Sequence, residues 1–259
     1  MDIAEPLAPL LCVREGAEGE ILALKLNRPR VLNAINWEIL EELDSVLEEA
    51  ERDESLRCLL MEGAGDRAFS AGADLRVVAT LTPGMARDWV RLGHRICNRL
   101  VCSRLPSIAA VRGHTLGGGL ELALACDFRV AAESVQLGLP EIKRGWLPGW
   151  GGIRRLCCML GPARARPLAL LGESMNAEDA LMSGLVQQVA TDGRLAAVAR
   201  ELAQRLALLS PANARQAKTQ LITPELLIEE AAVEADGDLL AEAVATQAFQ
   251  EATQRYREK

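Results

Sequence analysis

Two glutamates lie near glycine-rich stretches in the middle of this 259-residue chain. Glu121 follows three consecutive glycines, residues 117–119, at the start of the stretch Leu-Glu-Leu-Ala-Leu-Ala, whose composition is typical of a helix. Glu141 lies in the apolar stretch Leu-Gly-Leu-Pro-Glu-Ile, a few residues before Pro-Gly-Trp-Gly-Gly at 148–152. An apolar environment raises the pKa of a carboxyl group, which can then act as a general acid. Two carboxyl groups beside one glycine-rich pocket would suit acid–base chemistry on a neutral substrate.

The glycines before Glu121 allow two interpretations. Glycines let backbone N–H groups approach a ligand, and a helix N-terminus adds unpaired donors and positive potential, which together would stabilise an oxyanion. The same glycines also suit a tight turn from a strand into a helix, and the helix dipole favours an acid in the first turn whatever its function. The small-residue stretch at 68–75, Ala-Phe-Ser-Ala-Gly-Ala-Asp-Leu, leaves the same choice open.

The elements that must position these residues alternate between strands and helices. A turn is indicated at 27–30 and a small-residue loop at 68–74, and Asn36 is a plausible N-cap of the first helix. This alternation predicts an α/β layered domain, whereas after residue 191 only helical patterns remain. The predicted strands cover residues 20–26, 57–62, 107–111 and 127–131, and the predicted helices cover residues 37–52, 84–103 and 120–125.

Composition and charge exclude several classes of protein. With 49% hydrophobic and 25% charged residues the chain resembles an ordinary globular protein, and its net charge of −7 argues against nucleic-acid binding. Seven cysteines without a CxxC pair and only two histidines give no zinc-ligand spacing, and favour free thiols in a reducing compartment. The N-terminal residues lack the pattern of a signal peptide, and no apolar run has the length of a membrane span. We therefore expect a cytoplasmic protein, or the mature form of an organelle protein.

Four stretches in the same order resemble the enoyl-CoA hydratase/isomerase (crotonase) superfamily, and the match runs through most of the chain. The resemblance implies an α/β fold, a crotonase-type spiral of repeated ββα units over residues 1–191. It also implies an all-helical oligomerisation region over residues 192–259, and a homo-oligomer that is a trimer or a hexamer. The stretches are LNRPRVLNAI (26–35), AFSAGADL (68–75), LGGGLELALACD (116–127), and LGLPEI (137–142) followed by PGWGGIRRL (148–156).

The resemblance also implies roles for individual residues. The backbone N–H groups of Ala73 and Gly118 are expected to bind the thioester oxygen of an acyl-CoA substrate and to stabilise its enolate. Glu121 is expected to act mainly as the base for a water molecule, and Glu141 to deliver a proton to the α-carbon. No metal and no cofactor are implied, since coenzyme A enters as part of the substrate. Contacts to coenzyme A or substrate are expected from Arg30, Val31, Leu32, Ala71, Asp74, Leu75 and Gly149.

Several alternatives remain open at this stage. The presence of both glutamates favours hydration of a 2-enoyl-CoA, but a branched or dicarboxylic enoyl-CoA hydratase of the methylglutaconyl-CoA type and an enoyl-CoA isomerase are close alternatives. A non-catalytic scaffold or an RNA-binding relative is a more distant one. Trp150 stands where common hydratases have a small residue, so its indole could narrow the acyl pocket or pack on the surface. The stretch 248–253 lacks the family's basic pair, which leaves open any contact between this tail and coenzyme A.

Overall fold

The computed structural model describes residues 8–223 and 226–257, which form two β-sheets surrounded by helices. The strands are β1 (Leu10–Glu15), β2 (Ile21–Leu26), β3 (Cys58–Gly63), β4 (Ala68–Ser70), β5 (Ser107–Val111), β6 (His114–Leu116), β7 (Phe128–Ala132), β8 (Gln136–Gly138), β9 (Ser174–Met175) and β10 (Gln188–Ala190). The helices are α1 (Trp37–Arg52), α2 (Leu75–Val78), α3 (Pro83–Cys102), α4 (Gly118–Ala125), α5 (Gly152–Leu170), α6 (Ala177–Met182), α7 (Leu195–Ala207), α8 (Pro211–Leu221), α9 (Glu230–Ala243) and α10 (Gln247–Arg257). Two 3₁₀ helices, Pro29–Val31 and Pro140–Arg144, complete the described elements.

The two sheets are built by successive ββα units. The larger sheet has the order β1-β2-β3-β5-β7-β10, and the smaller has the order β4-β6-β8-β9. Each of the pairs β3/β4, β5/β6 and β7/β8 places its first strand in the larger sheet and its second in the smaller one. Within each sheet the strands of successive pairs lie parallel, so each unit repeats the path of the one before it. This arrangement is the spiral of repeated ββα units that the family resemblance implies.

The strands of the larger sheet are buried on both faces. Alternate residues of β2, β3, β5 and β7 contact the inner face of α7, while the residues between them join the main core with α1, α3 and α4. Such burial follows from the period-two alternation of side chains and explains why these strands are almost continuously apolar. The α7-facing residues are Ile21, Ala23, Cys58, Leu60, Ile108, Ala110, Val130 and Ala132.

The predicted and observed elements agree closely in the first half of the chain. The four predicted strands match β2, β3, β5 and β7 to within one residue at either end. Asn36 caps α1 as predicted, since its side-chain oxygen accepts a hydrogen bond from Ile39 N at 3.2 Å. The prediction of a loop over 68–74 is wrong at its start, because residues 68–70 pair in parallel with β6 as strand β4.

The C-terminal helices pack on the core of their own chain. After β10 the described residues contain helices and no strand, as the sequence predicts, and α9 packs along α3. The helix α10 contacts α2 and the 3₁₀ helix 140–144, with Phe249 fully buried and its ring 5.3 Å from that of Trp146. The predicted mixed α/β architecture with a helical C-terminal part is confirmed. Among the described residues, no helix combines the length and the apolar character that a bilayer crossing requires.

Candidate active site

One small cavity brings together five of the predicted catalytic, oxyanion-binding and substrate-binding residues. Its volume is about 30 Å³, which is room for about two water molecules. The five residues are Ala73, Gly118, Glu121, Glu141 and Gly149. The rest of the lining is apolar and comes from α2, α3, the loop 146–150 and α9, as Val78, Trp89, Trp146, Leu147, Trp150 and Leu240.

Glu121 stands in the first turn of α4 and is held by the loop that precedes α5. Its side chain is buried, and Oε1 accepts hydrogen bonds from Trp150 N at 2.7 Å and Gly152 N at 2.8 Å. Burial raises the pKa of the Glu121 carboxyl group, while these two N–H donors and the positive charge of Arg155 oppose that rise. The two N–H donors therefore stabilise the ionised form of Glu121.

Glu141 lies on the 3₁₀ helix 140–144 in a less favourable environment for a charge. Its Oε2 is buried and has no hydrogen-bond partner within the described part of the chain. Burial, and after it the charge of Glu121, raises the pKa of the Glu141 carboxyl group. Gly117 makes room for this carboxyl, because a Cβ there would lie 2.3 Å from Glu141 Oε1. Since Glu141 lacks the paired N–H donors of Glu121, a proton shared by the two groups resides preferentially on Glu141.

The other two glycines of the triplet meet different neighbours. A Cβ on Gly118 would lie 2.4 Å from Cζ3 of Trp150, and a Cβ on Gly119 would lie 2.6 Å from the backbone oxygen of Ser70. Real Cβ atoms are not found at such distances, so the absence of side chains at both positions allows β4 and the indole to approach α4. The triplet therefore does more than form a turn.

Two backbone N–H groups at this cavity donate no hydrogen bond to another group in the described part of the chain. Hydrogen bonds from Ile35 N to Gly72 O, at 2.8 Å, and from Asp74 N to Ile35 O, at 2.7 Å, fix the backbone on either side of Ala73. Ala73 N itself donates to no group in the described part of the chain. Gly118 is the first residue of α4, where an N–H has no partner within the helix. The two segments touch, since a Cβ on Gly72 would lie 3.2 Å from Gly118 N.

The other six predicted binding residues lie outside the cavity, on the two segments beside Ala73. Arg30 is exposed on the first 3₁₀ helix, and Leu32 O accepts a hydrogen bond from Ala71 N at 2.9 Å. The carboxylate of Asp74 is bound by Arg28 at 2.9 Å and by Arg76 at 3.0 Å, so its side chain fastens this loop. These six are Arg30, Val31, Leu32, Ala71, Asp74 and Leu75.

Arg155 is a functional candidate that the sequence reasoning missed. It is fully buried, and its guanidinium donates to Trp150 O at 2.5 Å, to Asn98 Oδ1 at 3.2 Å and to Leu226 O at 3.1 Å. Arg155 thus fixes the loop whose N–H groups bind Glu121. Its neighbour Arg154 is 41% exposed, and nothing in the pair Arg-Arg distinguishes the buried residue from the exposed one.

The structure decides between the two interpretations of Trp150. The indole is 2% exposed and lines the cavity, so it does not pack on the surface. A mid-helix glycine, Gly93, receives one edge of the indole and is the sequence signal that could have indicated its position.

His114, the other residue near the glycines that suggests catalysis, is exposed on β6 and does not line the cavity. No group of three His, Cys, Asp or Glu side chains that could hold a metal ion occurs in residues 8–223 and 226–257.

Comparisons with known proteins give a consistent result. The family model for enoyl-CoA hydratase/isomerase matches residues 16–259. The chain is 35% identical over 201 residues to a short-chain-enoyl-CoA hydratase of Clostridium acetobutylicum, covering 78% of this chain and 77% of that protein. It is 36% identical over 189 residues to a crotonyl-CoA hydratase of Syntrophomonas wolfei, covering 73% of each.

Solved structures show the same fold. A crystal structure of an enoyl-CoA hydratase from Bacillus anthracis has a TM-score of 0.79 and 32% identity, covering 96% of each chain. The structure of Pseudomonas aeruginosa DspI has a TM-score of 0.80 and 33% identity, covering 90% of this chain and 93% of that one.

Proposed function

The chain belongs to the enoyl-CoA hydratase/isomerase family, and we propose that it is an enoyl-CoA hydratase that adds water across the 2,3 double bond of an enoyl-CoA thioester. The observation that carries this proposal is the cavity in which two buried carboxyl groups meet two unused backbone N–H donors. Relatives named short-chain-enoyl-CoA hydratase and crotonyl-CoA hydratase, at 35% and 36% identity, support the same reaction.

The backbone donors polarise the thioester. In the proposed complex, the N–H groups of Ala73 and Gly118 donate hydrogen bonds to the carbonyl oxygen, where negative charge develops as the double bond accepts a nucleophile. Because both segments are fixed by other contacts, the donors need no rearrangement when the charge forms. Preorganised donors of this kind are typically worth about 3–4 kcal/mol each in the transition state.

The two glutamates divide the proton transfers. Glu121, whose ionised form is held by two N–H donors, takes a proton from the water as the water oxygen bonds to the β-carbon. The electron pair of the double bond moves toward the thioester oxygen, giving the enolate. Protonated Glu141 then transfers its proton to the α-carbon, which returns the electron pair from the oxygen. The proton gained by Glu121 passes back to Glu141 before the next turnover, so no proton is lost or gained overall.

Coenzyme A is proposed to lie along the segment 30–32 and the loop 71–75. The exposed guanidinium of Arg30 offers a positive charge to a phosphate on this side of the molecule. Because the backbone of the 71–75 loop is held in place by Asp74, its partly exposed residues can contact the ligand without becoming ordered first. In this proposal, protein groups carry out the proton transfers and stabilise the enolate, and the coenzyme A part of the substrate contributes to binding.

We also propose that residues 192–259 contribute to the interface of a homotrimer or hexamer. Three leucines at the ends of α7 and α8 are unusually exposed, Leu208 by 87%, Leu209 by 50% and Leu221 by 73%. Leu209 and Leu221 also line an apolar cavity of about 360 Å³ that contains none of the predicted site residues. Exposed apolar surface of this kind favours association. A single species of monomer mass in sedimentation equilibrium at micromolar concentration would contradict this proposal.

A reducing compartment, the cytoplasm, is the proposed location, because all seven cysteines are free and four of them are at least partly exposed. Exposed thiols remain unpaired more readily in such a compartment. Fractionation of the source cells with detection by antibody tests this location.

The activity itself is tested with crotonyl-CoA and isotopically labelled water. The proposal predicts loss of the conjugated enoyl thioester and formation of 3-hydroxybutyryl-CoA that carries the label on its hydroxyl oxygen. If a 3-enoyl-CoA is converted to its 2-enoyl isomer while crotonyl-CoA takes up no water, the protein is an isomerase. If neither substrate reacts, the protein is a non-catalytic member of the family.

A further inference from the structure

The indole of Trp150 occupies a notch formed by two glycines. A Cβ on Gly93, in the middle of α3, would lie 2.1 Å from Nε1 of the indole. A Cβ on Gly118, at the start of α4, would lie 2.4 Å from Cζ3 at the opposite end of the ring system. Both contacts are far below van der Waals distance, so the indole fills the volume that the two absent side chains would occupy.

The indole cannot easily leave this notch. The ring of Trp89 backs it, with centroids 5.6 Å apart, and Trp37 packs edge-on against Trp89 at 5.0 Å. The backbone of Trp150 is held on both sides, because its N–H donates to Glu121 and its carbonyl accepts from Arg155. Aromatic rings in contact at such centroid distances stabilise each other beyond the apolar area that they bury. The indole is therefore a fixed wall of the site.

This wall leaves little free volume beside Glu121 and Glu141. The remaining cavity of about 30 Å³ compares with the several hundred Å³ of pockets that enclose large ligands. Given the proposed hydratase function, on which this inference rests, we propose that Trp150 is the end wall of the acyl pocket and restricts the enzyme to enoyl-CoA thioesters with short, crotonyl-sized acyl groups. A longer chain would have to displace the indole from Gly93 and Gly118.

The lining also disfavours a dicarboxylic acyl group. Within the described part of the chain, the side chains around the cavity are apolar apart from Glu121 and Glu141, and none is cationic. The free carboxylate of a dicarboxylic acyl group would lie beside these two acids without a cationic partner. Burying such an unpaired charge has a high desolvation cost. A short, uncharged acyl chain is the substrate class that fits this site.

The proposal is tested by a binding measurement that does not depend on catalysis. Saturated butyryl-, hexanoyl- and decanoyl-CoA cannot be hydrated, and their affinities can be compared by calorimetry. For the wild-type protein, we expect no gain in affinity from butyryl-CoA to decanoyl-CoA. Trp150→Ala opens the wall, and each methylene that enters the new space should improve binding about fourfold. Decanoyl-CoA should then bind at least tenfold more tightly than butyryl-CoA.

Trp37→Leu is the matched control, because Trp37 belongs to the same tryptophan stack but does not line the cavity. It should keep the wild-type order of affinities. Trp150→Leu, which preserves more apolar volume, serves if the alanine variant does not fold, and should shift the order toward hexanoyl-CoA. The proposal is overturned if the wild type prefers decanoyl-CoA, or if a folded Trp150 variant keeps the wild-type order.

The two proposals fail in distinguishable ways. A protein that shows this order of affinities but hydrates no enoyl-CoA refutes the hydratase function and leaves Trp150 as the wall of an acyl-CoA site. A protein that hydrates crotonyl-CoA but binds all chain lengths alike refutes only the role of Trp150.

Discussion

The difference in the free energy of unfolding between a Glu141→Gln variant and the wild type should shift in favour of the variant as the pH rises. The carboxyl group of Glu141 is buried, and burial together with the charge of Glu121 raises its pKa. In the unfolded chain a glutamate has a pKa of about 4.3. At a pH between the pKa of the unfolded chain and the raised pKa of the folded state, the folded state binds more protons than the unfolded state. The free energy of unfolding of the wild type therefore falls as the pH increases. Glutamine has the same shape and does not titrate, so the variant lacks this loss.

The size of the effect follows from the linkage relation. A group that stays protonated in the folded state loses about 1.4 kcal/mol of stability for each pH unit above its unfolded pKa. From pH 5 to pH 7 the variant should therefore gain about 2–3 kcal/mol relative to the wild type. The buried amide of the glutamine carries a cost of about 1–3 kcal/mol if its N–H groups find no partner, but this cost does not change with pH. The test therefore depends on the slope with which the difference in the free energy of unfolding between variant and wild type changes with pH, and not on its value at any one pH.

Urea unfolding at a single protein concentration, repeated at half-unit steps from pH 5 to pH 8, measures the slope. Glu133→Gln is the matched control, because Glu133 is exposed and its side chain makes no hydrogen bond in the described part of the chain. The control should follow the wild type at every pH. If Glu141→Gln also follows the wild type, Glu141 is ionised throughout this range, and its assignment as the proton donor is wrong.

Three further substitutions test other contacts. Gly119→Ala places a Cβ 2.6 Å from the oxygen of Ser70 and should lower the free energy of unfolding by about 1–3 kcal/mol in urea titrations; an unchanged value would contradict the close approach of β4 to α4. Arg155→Lys cannot maintain the bonds to Trp150 O and its other partners, so kcat should fall at least tenfold with little change in KM, as steady-state kinetics will show; a change in KM alone would count against its positioning role. Asp74→Asn weakens the contacts with both arginines and should lower the affinity for free coenzyme A severalfold, as measured by calorimetry. An unchanged affinity would show that this loop does not contribute to coenzyme A binding.

The local signals in the sequence predict most of the framework. The helix that begins after Asn36 and the strands β2, β3, β5 and β7 are long enough for their periodicity and caps to be recognised. The strands of the smaller sheet were missed, because β4, β6, β8 and β9 have only two or three residues each. Such short segments carry no periodic pattern, and they form because the larger sheet stacks successive units in register.

The site was predictable in its chemistry but not in its shape. The types and order of the residues around Glu121 and Glu141 indicate acid–base chemistry, and both glutamates do line one cavity. The burial of Arg155 and the position of the Trp150 indole depend on α3 and on the loop 149–152, which are distant in sequence. The mid-helix Gly93 is a signal in the sequence for a close approach to α3, but the identity of the approaching group, the indole of Trp150, depends on a tertiary contact that only the structure shows.

The central claim is that Glu121 and Glu141 act on one water molecule, and the kinetics of their glutamine variants with crotonyl-CoA test it most directly. Each single substitution should lower kcat by about 10²–10⁴-fold while the affinity for free coenzyme A changes little. The double variant should lose far less than the product of the two single losses, since both groups serve the same step. Wild-type hydration by Glu121→Gln, with an inactive Glu141→Gln, would contradict the account and indicate an enzyme that depends on a single acid.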